Sequence, residues 1–142
     1  MTELDLSGTS LTRIDINEFI TEIVKGEVKL TKLNLSENSA VNDIVVEDLC
    51  LLFSQHSTMK ELYLSKTSLT ELGLLKLLDS IADSLKVKTL AVADCDITLT
   101  GISGRDIIES LKKNISLTTL LYDGNAFDMP FKKGIEKELE LN

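Results

Sequence analysis

Catalysis needs nucleophiles, bases, metal donors or a phosphate cradle, and this chain of 142 residues offers few side chains that qualify. Cys50, Cys95 and the single histidine, His56, are the candidates for nucleophilic or metal chemistry. A thiol is activated by a base within hydrogen-bond reach, and a metal needs three or four converging donors. His56 is followed by Ser57 and Thr58, which supply neither. It reads as a solvated residue at a helix end, favourable near the helix's negative pole when protonated. Cys50 and Cys95 fall on inward positions of the pattern described below and read as reduced, buried thiols. Gly101-Ile-Ser-Gly104 is too short for a phosphate loop and lacks its lysine. Carboxylates are plentiful but fall on solvated faces. We therefore expect no catalytic residue, no metal and no cofactor.

What the sequence does contain is a repeat. Leu30-Thr-Lys-Leu-Asn-Leu-Ser-Glu-Asn38 reads L-x-x-L-x-L-x-x-N, and the frame returns at Met1–Thr9, Met59–Thr67, Val87–Cys95 and Leu117–Asn125. The central residues Leu4, Leu33, Leu62, Leu90 and Leu120 are 29, 29, 28 and 30 residues apart. A period of this length predicts a solenoid, in which each unit buries its apolar face against the next. The expected fold is α/β: a horseshoe arc of five strand-turn-helix repeats forming one domain over residues 1–142. The repeats cover about 1–29, 30–58, 59–86, 87–116 and 117–142. Strands stack about 4.8 Å apart and helices about 8–10 Å apart, so the parallel sheet lies on the concave side and the helices on the convex side.

The period changes within each copy. Glu3–Ser7 alternates, with Leu4 and Leu6 inward, which is a half-buried strand. The equivalent strands are Lys32–Ser36, Glu61–Ser65, Thr89–Ala93 and Thr119–Asp123. Helical spacing then takes over. In the first repeat Ile14, Ile16, Phe19, Ile20, Ile23 and Val24 are expected inward, with Gly26 ending the helix. Further helices are expected over Val45–Gln55, Leu72–Leu85, Ser103 (as N-cap) to Lys113, and Phe131–Glu140 after Asp128 and Pro130. The last helix is heavily charged outside, as a terminal repeat requires, whereas strand one is expected to be an exposed edge that is tolerated, meets another chain (self-association among the options), or once continued into a longer protein. Thr9, Asn38, Thr67, Cys95 and Asn125 sit where each strand ends and are expected to bond unpaired backbone groups from layer to layer.

Charge and composition narrow the partners. Hydrophobic residues are 43% of the chain, and the net charge of −8 argues against nucleic acid, whose phosphates need clustered Lys and Arg. It favours, weakly, a partner of basic character. No apolar run approaches the roughly 18 residues of a membrane span and no signal peptide opens the sequence, so a cytoplasmic protein without membrane contact is expected. Asn34-Leu-Ser36 and Asn114-Ile-Ser116 match a glycosylation sequon, read here as coincidence.

Lining up the strands gives the columns of the concave face: Glu3, Lys32, Glu61, Thr89 and Thr119, then Asp5, Asn34, Tyr63, Ala91 and Leu121. A third holds Ser7, Ser36, Ser65, Ala93 and Asp123, and a turn column holds Gly8, Glu37, Lys66, Asp94 and Gly124. The face passes from charged to nearly apolar along its length. Tyr63 is central, and Tyr is enriched among residues that dominate binding energy. Leu121, beside Ala91 and Ala93, suggests an apolar patch. The residues expected to meet a partner are Asp5, Lys32, Asn34, Glu61, Tyr63, Lys66, Leu121 and Asp123.

The pattern resembles the leucine-rich repeat, and the repeat length resembles its ribonuclease-inhibitor-like subclass. The resemblance covers nearly the whole chain, with departures at Thr9 and Thr67, where Asn or Cys is usual, and at Ala40, where Leu is usual. It implies a non-catalytic module that binds a protein through the concave sheet and adjoining turns. Proteins that activate the Ran GTPase resemble this repeat type. Arg13, after a strand-end turn, and Arg105, in a helix's first turn, are the arginines available for that role. Actin regulation of the tropomodulin kind also uses similar repeats. A microbial protein acting on a host protein in the host cytosol would show the same sequence features.

Overall fold

In the computed structural model, residues 2–26, 28–55, 58–84 and 86–142 are described. Met1, His56 and Leu85, on which the repeat start, the solvated histidine and one helix end were placed, lie outside them. Strands β1 (Thr2–Asp5), β2 (Leu30–Asn34), β3 (Glu61–Tyr63), β4 (Thr89–Ala91) and β5 (Thr119–Leu121) alternate with helices α1 (Arg13–Lys25), α2 (Asp43–Gln55), α3 (Glu71–Ser84), α4 (Gly101–Lys113) and α5 (Met129–Glu140). The strands form one sheet in chain order, every neighbouring pair parallel. Parallel neighbours require a crossover, and helices α1 to α4 supply one each, while α5 follows the last strand.

From Glu3 onward register follows the sequence columns, after an irregularity that pairs Thr2 with Leu30. Glu3 pairs with Lys32, Lys32 with Glu61, Glu61 with Thr89, and Thr89 with Thr119. The regular strands are shorter than the alternation suggested, but the interstrand bonding continues past them. The Leu6, Leu35, Leu64 and Val92 N–H groups donate to the carbonyls of Asn34, Tyr63, Ala91 and Leu121 at 2.8–2.9 Å. One step further, Gly8, Glu37, Lys66 and Asp94 do the same towards Ser36, Ser65, Ala93 and Asp123. These turn residues, with Gly124, all have positive φ, between 53° and 77°. The left-handed bend turns the chain out of the sheet, and Glu37, Lys66 and Asp94 adopt it without glycine's freedom.

The core lies between sheet and helices. Leu33, Leu62 and Leu90 are wholly buried and Leu120 nearly so, and they pack with Ile20, Leu49, Leu74 and Ile107 from the helices. Of the strand-end residues expected to bond backbone from layer to layer, Asn38 and Asn125 do so fully, while Thr9 and Thr67 bond backbone only within their own repeat. Asn38 Oδ1 accepts the Leu11 N–H at 3.0 Å, and its amide donates to the carbonyls of Leu6 and Leu35. Asn125 repeats this, accepting from Cys95 and Ile97 and donating to Val92 and Tyr122. Thr9 and Thr67 each donate to a carbonyl of their own repeat at 2.7 Å. The Cys95 thiol stands 3.3 Å from the Leu64 carbonyl.

Three expectations are corrected. Ile14 is exposed, because residues two apart on a helix point about 200° apart and Ile16 takes the inward position. The cap of α4 is Thr100 rather than Ser103. Its N–H donates to the Ser103 hydroxyl, which sits at the third helical position. Cys50 is half-buried, at the margin of the inward stripe, with its sulfur towards the Lys76 carbonyl, and burial raises the thiol's pKa. Asn114 ends α4 fully buried, its Oδ1 accepting the N–H groups of Ser116 and Leu117, so this sequon asparagine is a structural cap.

Candidate partner-binding face

The strand-side face is built by the alternation itself: the residues flanking each buried leucine point to the opposite side of the sheet. Its best-organised region spans the first three strands. Register brings Lys32 between Glu3 and Glu61, and Asn34 between Asp5 and Tyr63. Lys32 Nζ lies 5.3 Å from the centroid of the Tyr63 ring, a cation–π distance. The Tyr63 hydroxyl donates to Glu61 Oε1 at 2.8 Å, from the residue two positions back on the same face. That bond, with partial burial and the negative charges of Glu61 and Glu3, pushes the Tyr63 hydroxyl above its ordinary pKa. At physiological pH it remains a donor.

Asp5 closes one end of this cluster. Its Oδ1 accepts both the N–H and the hydroxyl of Ser7, at 2.9 and 2.6 Å, and with a smaller contribution from Lys32 these hold its carboxyl below the usual range. Asn34 is tied in the same way, its Oδ1 accepting the Ser36 N–H at 3.0 Å. Both side chains therefore orient the turn after their strand. The serines of the third column stitch strand to strand, Ser36 Oγ accepting from Ser65 N and Ser65 Oγ from Ala93 N.

The remaining expected residues lie elsewhere on the face. Lys66 is exposed at the positive-φ turn after β3, and Leu121 and Asp123 stand at the far end, on and after β5. Leu121 is 42% exposed. Ala91, its register partner on β4, is buried at 2%, so it adds almost nothing to the patch that the sequence suggested there. The structure thus unites Asp5, Lys32, Asn34, Glu61 and Tyr63 and leaves Lys66, Leu121 and Asp123 apart from them. Glu3 belongs to the cluster although the sequence had singled it out only as a column member. Its register opposite Lys32 was the available signal.

Among the described residues no group of three His, Cys, Asp or Glu side chains could hold a metal ion. No helix among them is long and apolar enough to cross a membrane. What the face offers is a fixed aromatic ring, a lysine and three carboxylates in a shallow surface.

No protein-family model matches the sequence, and no curated protein is detectably similar to it. Solved structures are similar. One is described as leiomodin-1 actin-binding site 2: it is 19% identical, with a TM-score of 0.85 over 99% of this chain and 80% of that one. Another is a tropomodulin C-terminal domain from Caenorhabditis elegans, 17% identical with a TM-score of 0.84, over 99% of this chain and 83% of that one. The resemblance to the ribonuclease-inhibitor-like subclass of leucine-rich repeats is thereby corrected. The repeat length suggested it, but the solved structures similar to this chain over 99% of its length are the leiomodin and tropomodulin domains. What the similarity shows is the fold, a parallel five-stranded sheet with alternating helices, as in the tropomodulin C-terminal domain.

Proposed function

We propose that this chain is a non-catalytic protein-binding domain whose partner is actin, engaged through the strand-side face. The observation carrying the reading is the match of 99% of the chain to a domain described as an actin-binding site, with a TM-score of 0.85. That likeness is one of fold, so residues on the face have to supply the contacts. Tyr63, held between Lys32 and Glu61, is the central anchor. Asp5 and Asn34 flank it, Lys66 reaches out from the adjoining turn, and Leu121 and Asp123 extend the contact to β5. The carboxylates favour a basic patch on the partner. We place the protein in the cytoplasm, where actin is.

Cosedimentation with actin filaments, across a range of filament concentrations, tests the proposal. Saturable binding that weakens with added salt is expected, because charged side chains form much of the face. A chain that stays in the supernatant at every filament concentration, and that does not retain monomeric actin on a column, would remove actin as the partner.

A further inference from the structure

Four large apolar side chains stand in solvent at the same place in successive repeats. Ile14, Ile44, Leu72 and Ile102 are each the second residue of their helix, α1 to α4, and are 70, 49, 67 and 75% exposed. Neighbouring helices pack side by side in chain order, so the four side chains form a row along the helix N-terminal ends. The equivalent residue of α5 is Pro130, also exposed, next to Met129 at 63%. One exposed isoleucine needs no explanation, but an exposed branched aliphatic at one position of four consecutive repeats makes an apolar strip along neighbouring helices. Between α2 and α3 the strip opens into a shallow groove where Ile44, Leu72 and Leu75 meet Asp43, Glu47 and Lys76.

The charges beside the row are mostly negative. Asp43 and Glu71 immediately precede Ile44 and Leu72, and Glu18, Glu47, Asp48 and Asp106 lie one turn further along the helices. Arg13, Lys76 and Arg105 are the cations among them, and Lys76 is paired with Glu47 at 2.8 Å. Spacing matters as much as charge. Packed helices are about 8–10 Å apart. A helix laid across them rises about 1.5 Å per residue, so its side chains seven positions apart recur about every 10.5 Å.

We propose that this row docks an amphipathic helix of a partner protein, apolar on one face at seven-residue spacing and flanked by basic residues. The occupant crosses α1 to α4 and meets one side chain of the row every two turns, with its lysines or arginines against the acidic borders. An anionic membrane would also accept an apolar ridge, but the chain's net charge of −8 opposes it. This surface is separate from the strand-side face and does not depend on actin binding.

The test uses a labelled synthetic helix of about 20 residues, long enough to cross the row, with Leu at every seventh position and Lys on both flanks. Its binding is followed by fluorescence anisotropy. Wild type is expected to bind it, and Ile44→Asp and Leu72→Asp to weaken binding about tenfold or more. Reversing the peptide's lysines to glutamates should weaken it by a similar factor. Leu72→Ser, with unchanged circular dichroism, covers the case in which an aspartate disturbs the fold. No binding by wild type, equal binding by the variants, or equal binding of the reversed peptide would overturn the proposal. So would a wild-type dimer in light scattering that Leu72→Asp dissolves, since a second copy would then own the row, or binding to anionic vesicles in place of the peptide.

Discussion

The Tyr63 hydroxyl donates to Glu61 Oε1 at 2.8 Å while Lys32 Nζ stands 5.3 Å from the same ring, so residues of two adjacent strands fix the central aromatic of the face. A side chain ordered before binding loses less freedom when a partner arrives. Tyr63→Ala is therefore expected to weaken actin binding by about 1–2 kcal/mol, roughly five- to thirtyfold. Tyr63→Phe keeps the ring and loses only the bond to Glu61, so its effect should be smaller. Leu121→Asp should also weaken binding. Filament-binding isotherms check all three, with urea midpoints close to wild type as the control for folding.

Leu62 is wholly buried at the centre of the sheet, paired with Leu33 and Leu90. Leu62→Ala leaves a cavity that neighbouring layers can only partly close, at a cost of about 2–5 kcal/mol. Denaturant unfolding measures it. A loss below about 1 kcal/mol would mean that the layers collapse onto one another.

Much of this was legible in the sequence, because stacked repeats print their register directly. Glu3, Lys32, Glu61, Thr89 and Thr119 fall in one column of the alignment and in one row of the sheet. The helix faces were less legible. Ile14 is apolar in a stretch rich in isoleucine, and only the helix start at Arg13 decides that it points away from Ile16. At the start of α3 the partner is distant in sequence: Asp43, in α2, accepts the Thr70 N–H that precedes α3 at 2.9 Å. Local spacing cannot reveal such a bond. The cluster on the face was half legible, since its central place in the strand column and its residue type named Tyr63, while only the folded chain joins it to Glu61 and Lys32.

Asn38 joins the first two repeats through one side chain, accepting from Leu11 and donating to Leu6. Asn38→Ala leaves those backbone groups unpaired in a nearly closed site, which costs about 1–3 kcal/mol. Amide exchange should show the loss of protection concentrated in β1 and α1. A uniform loss across the five strands would mean that the repeats unfold as a single unit.

Gly104 allows α4 and α5 to approach. A Cβ there would collide with the Phe131 ring, so Gly104→Ala is expected to destabilise the chain by about 1–3 kcal/mol despite alanine's better helix propensity. The paired change Gly104→Ala with Phe131→Leu should recover part of the loss. Thermal melts of the two variants decide it.

The Asp15 carboxylate accepts the N–H and the hydroxyl of Thr12, and these bonds hold its pKa below the ordinary value. A depressed folded-state pKa gives stability that is present above the unfolded pKa and lost as pH falls through the folded one. Thr12→Ala should therefore cost stability at neutral pH, and its difference from wild type should shrink below about pH 4. Urea midpoints measured against pH test the sign.

Filament cosedimentation of three proteins side by side tests the central claim most directly: wild type, Tyr63→Ala/Leu121→Asp, and Ile44→Asp/Leu72→Asp. Actin engaged through the strand-side face predicts saturable binding by wild type, loss of binding in the first variant and near-wild-type affinity in the second. Undiminished binding by the Tyr63/Leu121 variant, with the fold intact, would contradict it.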